Sequence, residues 1–390
     1  MAVKCMHPNA EELFRHDFKV FRTLVKAALP GWDPILRELE WQMMTQFDFG
    51  AEAQNLETVR RNMAKSPYAA KVCVPRPMIE LSSKRVLVME YLSGKKLADT
   101  IEENLAEILG GDVAMARRAL KAKQRALFES RDMRSKNRHP GFWRELNEIL
   151  GDTDECLAMP QKIIKALQLT SLTRDARNKL SLLMDATGHQ IFQDGVYNAD
   201  PHPGNVLVLD CGRLGLIDYG QTCRLTRHDR LALAEVVVAL GRSRTNTHEI
   251  ATAMRSFGFK SRDSDDTNLA HFAALYFDSD ARGKQLGYPT PQVRSIYWLI
   301  LAIFGHLCLM AIFTIPQKYL VHLNSVDPLT EVPDPAVFVA RTSFLFRGLG
   351  ALLQQQLHTS RQSWSKHAQL ALTAEGVGRR PLYNLGLTPA

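Results

Sequence analysis

Asp200 and Asn205 lie five residues apart in the stretch Asn198-Ala199-Asp200-Pro201-His202-Pro203-Gly204-Asn205. A loop of that length lets both side chains point into one cleft. The runs Val206–Leu209 and Leu214–Ile217 then read as a strand hairpin across Asp210–Arg213, and Asp218-Tyr219-Gly220 follows. Such a hairpin returns Asp218 alongside the loop. Two carboxylates and one amide so gathered offer hard oxygen ligands, a donor set suited to Mg²⁺. Each piece alone is ordinary, because Asp-x-x-x-x-Asn recurs by chance and Asp-Tyr-Gly is a common turn. Their combination, between an amphipathic helix and a hairpin, points to metal-assisted chemistry.

The elements that must hold these residues can be read along the chain. Met1–Cys5 reads as the stub of a strand and Glu11–Leu29 as a helix. Trp32–Met63 is mainly helical in pattern, with Phe49, Ala53, Leu56 and Met63 near one face. Lys71–Pro75 and Arg85–Tyr91 are short β-branched runs that read as strands. Gly94 breaks the second, and Leu97–Leu109 resumes helical spacing. Ala176–Gln193 is a further amphipathic helix, with Leu180, Leu183, Met184, Ile191 and Phe192 on one face. From Asp229 the pattern is helical, and the polar stretch beyond His358 reads as a loose tail. Strand-bearing stretches followed by a long helical remainder suggest an α+β fold with unequal lobes.

Bulk properties narrow the classes of partner. The 390 residues can bury a sizeable core, and a net charge of +8 favours anionic partners such as nucleotides or phospholipid head groups. Six scattered cysteines form no CxxC pair, and no His cluster has zinc spacing, so a reducing compartment without a structural metal is expected. Met1–Pro8 does not read as a signal or transit peptide. Ile296–Ile315 is an uncharged run at the lower limit of a membrane span, with Gly305 and His306 at its middle; a buried core helix is the expected reading. Arg117–Arg144 holds ten Lys or Arg against Glu129 and Asp132. It reads as a solvated helix and loop, or else as a surface for anionic membranes.

The spacing of Asp200, Asn205 and Asp218 is the layout of phosphoryl transfer in protein kinases, with Tyr219 in place of the usual Phe. More specifically, Ala199–Asn205, preceded by Ile191-Phe192 and followed by Leu216–Gly220, resembles the hallmark of the UbiB/ADCK (aarF-domain) atypical kinases. Glu52-Ala53-Gln54-Asn55 resembles that family's Glu-Ala-x-Asn helix, Met1–Lys4 its third strand, and Val86–Gly94 its hinge. The resemblance covers residues 1–109 and about 176–240, with a weaker echo near Val332–Leu349. It implies a protein-kinase-like bilobal fold, α+β, with a truncated N-lobe and a mostly helical C-lobe. The N-lobe and hinge would occupy 1–93. A C-lobe over 94–358 would carry the catalytic loop and a basic insertion around 110–175, with a loose tail over 359–390.

The same resemblance implies residue roles. Lys4 would contact the α- and β-phosphates of ATP and pair with Glu52. Asp200 would orient or deprotonate the acceptor, while Asn205 and Asp218 would hold Mg²⁺. The backbone at Glu90 and Leu92 would meet the adenine edge, with Met89 lining the pocket. The implied function is Mg-ATP-dependent phosphoryl transfer or ATP hydrolysis linked to prenylquinone (coenzyme Q-type, ubiquinone) or lipid metabolism. The implied setting is a membrane of the mitochondrion or plastid, and no nucleic acid partner is expected.

Three departures stand out. The family's Lys-x-Gly-Gln helix and alanine-rich loop have no counterpart ahead of Lys4, so the expectation is an incomplete N-lobe, Lys4 on an unpaired edge, and weak nucleotide binding and turnover. The family's Glu-x-Asp reads Gln46-Phe47-Asp48, and Asn198 stands where many relatives have His. Two rivals follow. One is a pseudokinase scaffold with weak nucleotide binding. The other is an aminoglycoside/choline-type phosphotransferase, which usually has His-Gly-Asp where this chain has Asn-Ala-Asp.

Overall fold

A computed structural model describes residues 1–28, 40, 44–108, 159–201, 203–242, 246–279, 317–352 and 357–376. Arg117–Arg144 and Ile296–Ile315 lie outside them. The chain divides into two compact units, one formed by Met1–Lys96 with Val196–Arg224 and the other by Leu97–Gly195 with Leu225–Ala390.

In the first unit, the alternating Ala2–Cys5 run forms strand β1 (Ala2–Cys5), and helix α1 (Ala10–Ala28) buries Phe18 and Phe21. Helix α2 (Phe49–Lys65) begins where the Asp48 carboxylate accepts the Ala51 N–H at 2.9 Å, which satisfies one of the open donors of the first turn. Phe49, Glu52, Ala53, Leu56, Val59 and Met63 form its buried face. Each fully buried large side chain of that face stabilises the fold by about 1.5–3 kcal/mol. Strands β2 (Val72–Cys73), β3 (Val86–Met89) and β4 (Gly94–Lys96) follow. β1 pairs antiparallel with β3, with Lys4 opposite Leu87, so the lysine strand is hydrogen-bonded along one side rather than unpaired.

Helix α3 (Leu97–Ile108) and the long helix α4 (Met159–His189) belong to the second unit. The helical signal over Ala176–Gln193 is thus the end of a longer helix. It passes into a π-helical turn, Gln190–Asp194, and stops at Gly195, whose φ of +67° is the left-handed conformation that glycine adopts without a Cβ penalty.

The chain then returns to the first unit through β5 (Val196–Asn198), β6 (Val206–Leu209), β7 (Leu214–Leu216) and β8 (Thr222–Arg224). β6 and β7 form the expected hairpin, which β4 and β2 extend into a four-stranded sheet of order β2-β7-β6-β4. The β2–β7 pair is parallel and the β4–β6 pair antiparallel. Through this sheet the Asp200 loop groups with Met1–Lys96, whereas the family resemblance implied a place in the helical lobe. Gly94 is required by the pairing, because a Cβ there would sit 2.5 Å from the Val208 carbonyl oxygen and 2.8 Å from the Leu209 Cα.

The second unit continues with α5 (Arg227–Arg242), α6 (Thr247–Phe257), β9 (Lys260–Ser261), α7 (Asp266–Phe277), α8 (Gln317–Val326), β10 (Leu329–Glu331), α9 (Asp334–Leu352) and α10 (Ser365–Ala374). α5 packs on α6 and α10, and α6 on α7. The stretch beyond His358 is not a loose tail as far as Ala374. A π-helical turn at Ser360–Trp364 leads into α10, and Trp364 and Ala368 are fully buried. Gly188 permits this, since a Cβ there would lie 2.8 Å from Trp364 Cδ1 and 2.9 Å from His367 Cδ2. The fold is mixed α/β and mostly helical.

Candidate active site

Lys4, Glu52 and Asp218 come from β1, α2 and the segment after β7, and all belong to the first unit. Lys4 Nζ donates to both carboxylate oxygens of Glu52, at 2.9 and 3.0 Å, and lies 3.7 Å from Asp218 Oδ1. The ammonium also sits 4.9 Å from the centroid of the Phe49 ring, a cation–π arrangement one helical turn from Glu52. The Glu52 side chain is 1% exposed, against 38% for Lys4 and 31% for Asp218. Burial first, and the neighbouring Asp218 charge second, push the Glu52 carboxyl up to about 7 against the opposing pull of Lys4. The pattern alone would leave Glu52 as a solvated helix residue; the fold buries it.

The Asp200 loop is fixed from its backbone. Ala199 N–H donates to the Gln221 carbonyl at 2.9 Å, and the Asn198 side chain accepts the Asp200 N–H at 2.8 Å. Asn205 closes a 3₁₀ turn, Pro203–Asn205, and its carbonyl accepts the Ile217 N–H at 3.2 Å, one residue before Asp218. The Asp218 carboxylate accepts the Gly220 N–H at 3.0 Å, and the Asn198 amide donates to the Asp218 carbonyl at 2.9 Å. A Cβ at Gly220 would lie 3.4 Å from both Asp218 Oδ1 and Glu52 Oε2, so the bare backbone runs directly past the two carboxylates.

In the run that resembles the family's hinge, Met89 is buried at the end of β3. The Glu90 N–H donates to the Arg76 carbonyl at 2.8 Å, and its side chain accepts the Arg76 N–H at 3.1 Å. At Glu90, therefore, only the backbone carbonyl can meet a base edge. The Leu92 side chain lies over Gly215 of β7, with its Cδ1 3.2 Å from where a Cβ there would stand. Two contacts escaped sequence reasoning, the Phe49 ring under Lys4 and the bond from Arg224 Nη2 to Asn55 Oδ1 at 3.0 Å. Phe49 was marked by its place on the apolar face, but nothing in the pattern pairs it with a lysine from a distant strand.

The donor chemistry fits a divalent cation. Two carboxylates share one ammonium, since Lys4 Nζ is bonded to Glu52 and lies 3.7 Å from Asp218 Oδ1. Among the described residues no group of three His, Cys, Asp or Glu is arranged to hold a metal, so such an ion would depend on the Asn205 amide as well as carboxylate oxygens.

A lysine–glutamate pair on a strand and a helix, set beside an aspartate that follows a strand hairpin, is the arrangement of a protein-kinase-like protein. The chain matches the ABC1 atypical kinase-like domain over residues 1–141 and 160–253, more than half its length, and it belongs to that family, the aarF or UbiB/ADCK group its motifs resemble. An uncharacterized protein of Synechocystis is 45% identical over 205 residues, covering 52% of this chain and 35% of that protein. Protein Activity of BC1 Complex Kinase 1, chloroplastic, of Arabidopsis thaliana is 22% identical over 293 residues, covering 73% of this chain and 32% of that protein. AarF domain-containing protein kinase 1 of Xenopus laevis is 30% identical over 104 residues, 25% of this chain and 19% of that protein. The chain spans about a third of the length of the first two relatives.

Proposed function

We propose that this chain carries the nucleotide site of an Mg²⁺-dependent atypical kinase or ATPase, acting in prenylquinone-related or lipid metabolism. The observation that carries the reading is the Lys4–Glu52–Asp218 constellation, assembled from three distant parts of the sequence. Glu52, held in the buried face of α2, fixes the Lys4 ammonium for the α- and β-phosphates. Asp218 and Asn205 hold the cation, and Asp200 orients or deprotonates the acceptor hydroxyl. Met89, the Glu90 carbonyl and the Leu92 backbone border the adenine. Mg-ATP, when bound, supplies an electrophilic γ-phosphoryl whose charge the cation neutralises. The name of the Arabidopsis relative favours a plastid setting. Among the described residues no helix is long and apolar enough to cross a membrane. The basic run Arg117–Arg144 supplies, in sequence, a cationic segment suited to anionic membranes.

Thermal denaturation with and without Mg-ADP tests the reading. A ligand that binds only the folded chain stabilises it by about 2.7 kcal/mol at a hundredfold excess over Kd, which raises the melting temperature by several degrees. Asp218→Asn should abolish that rise while leaving the ligand-free transition in place. An unchanged rise in the variant would remove Asp218 from the metal site. Nucleotide binding without Mg²⁺-dependent ATP turnover would make the chain a pseudokinase.

A further inference from the structure

Asn198, half-buried at the end of β5, bonds to both acidic segments of the site. Its Nδ2 donates to the Asp218 carbonyl at 2.9 Å, and its Oδ1 accepts the Asp200 N–H at 2.8 Å. Both bonds end on backbone atoms next to the side chains assigned to acceptor and cation. Within the segment after Asp218, Gly220 N–H donates to Asp218 Oδ1 and Thr222 Oγ1 to the Tyr219 carbonyl at 2.6 Å. The strand ahead of Asp200 also pairs with it, Val196 with Arg224, Tyr197 with Cys223 and Asn198 with Thr222, and Ala199 N–H bonds to the Gln221 carbonyl.

We propose that Asn198 is a positioning residue for phosphoryl transfer, fixing the spacing between Asp200 and Asp218 through one amide that donates to one loop and accepts from the other. This rests on the Mg-nucleotide reading above. An amide suits the task because it offers a donor and an acceptor in one planar group and does not titrate near neutral pH. Aspartate at this position keeps the acceptor for Asp200 and loses the donor for Asp218. Alanine loses both. Neither removes a cation ligand, so the effect falls on alignment, which governs turnover more than nucleotide binding.

The experiment compares the wild-type chain with Asn198→Ala and Asn198→Asp. It reads ATP turnover, Mn²⁺-ADP binding by electron paramagnetic resonance, ligand-free melting temperature, and hydrogen exchange over 199–205 and 216–222. For Asn198→Ala, kcat should fall about 10- to 100-fold with KM for ATP within about threefold. Its melting temperature should stay within about 2 °C of wild type. Exchange should quicken in both segments for alanine, but only over 216–222 for aspartate. An active wild type with an equally active Asn198→Ala overturns the role alone. So does a kcat loss that follows a fall in melting temperature, or identical exchange in all three chains. A wild type that neither binds Mn²⁺-ADP nor hydrolyses ATP overturns the nucleotide reading itself, and this role with it.

Discussion

One ammonium serves two carboxylates at Lys4, and the arrangement is sensitive to pH because Glu52 is buried. The unfolded Glu52 titrates near its ordinary value of 4.5 and the folded one near 7. Between those values the folded chain holds a proton that the unfolded chain has released, so this carboxyl's stabilising contribution is complete below pH 4.5 and is lost as pH rises through 7. Lys4→Met removes the cation that favours the ionised form, which raises the Glu52 carboxyl further and extends the loss to higher pH. Urea denaturation should show the substitution costing more at pH 8.5 than at pH 6. The extra cost should be on the order of 1–3 kcal/mol, below the usual figure for a buried pair because Lys4 is partly exposed. Equal costs at the two pH values would mean that Glu52 is not linked to Lys4. Gly94→Ala is a purely steric case at the same scale. Its new Cβ would meet the Val208 carbonyl and the Leu209 Cα, and backbone cannot swing aside, so a loss of about 2 kcal/mol or more is expected by denaturant titration. At this scale the sequence was informative where chemistry demands a spacing. Asp200, Asn205 and Asp218 can be picked out by their spacing, whereas the partnership of Lys4 and Glu52 rested on family resemblance because a contact between a strand and a helix 48 residues apart leaves no local period.

The last helix shows where pattern reading fails. Ser360, Ser363, Ser365 and His367 look like a polar, solvated run, yet all are buried. Burial is possible because the neighbouring helices carry glycine at the contact: Gly188 lies against Trp364 and His367, and Gly241 against Ser365. Hydroxyls then find partners locally, as Ser360 Oγ does at the Phe277 carbonyl, 2.6 Å away. Periodicity counts apolar residues and so overlooks an interface made of small and hydrogen-bonded ones, whereas the apolar face of α2 and the β6–β7 hairpin were plain. Trp364→Ala should cost about 3–5 kcal/mol, and a loss under 1 kcal/mol would return this region to a loose tail. The two ends of this packing also titrate in opposite senses. Burial raises Asp194 to about 6, opposed by Arg230. Burial, then Lys366, lowers His367 to about 4, opposed by Asp185, with the His189 ring edge-on at 6.0 Å. Asp194 therefore contributes stability that fades as pH rises from about 4 to 6, while the contribution of His367 is lost as pH falls from 6.5 to about 4. Relative to Asp194→Asn, the wild type should lose on the order of 1–3 kcal/mol as pH rises through the first window; relative to His367→Gln it should gain as pH rises through the second. Parallel stability curves would dismiss both shifts.

For the whole molecule, the charge of +8 is concentrated in Arg117–Arg144, where ten basic residues face two acidic ones. About 1 kcal/mol per basic residue near an anionic surface, screened within about 8 Å at physiological salt, would give binding to phosphatidylserine vesicles that collapses as salt rises. Deleting the segment should weaken sedimentation with acidic vesicles and leave neutral ones unaffected. Equal behaviour on both would leave the run as a solvated surface. The first unit is threaded in two passes. Its chain leaves at Lys96 and returns at Val196. The strand beginning at Gly94 finds its neighbour only when Leu207–Leu209 has been made. On a ribosome adding about 5–20 residues per second, more than a hundred further residues must emerge first. For that interval the edges of Val72–Cys73 and Gly94–Lys96 wait without their partners. The nascent chain is then open to mispairing and to chaperones, and its folding is paced by translation of the segment between, in addition to the search for contacts.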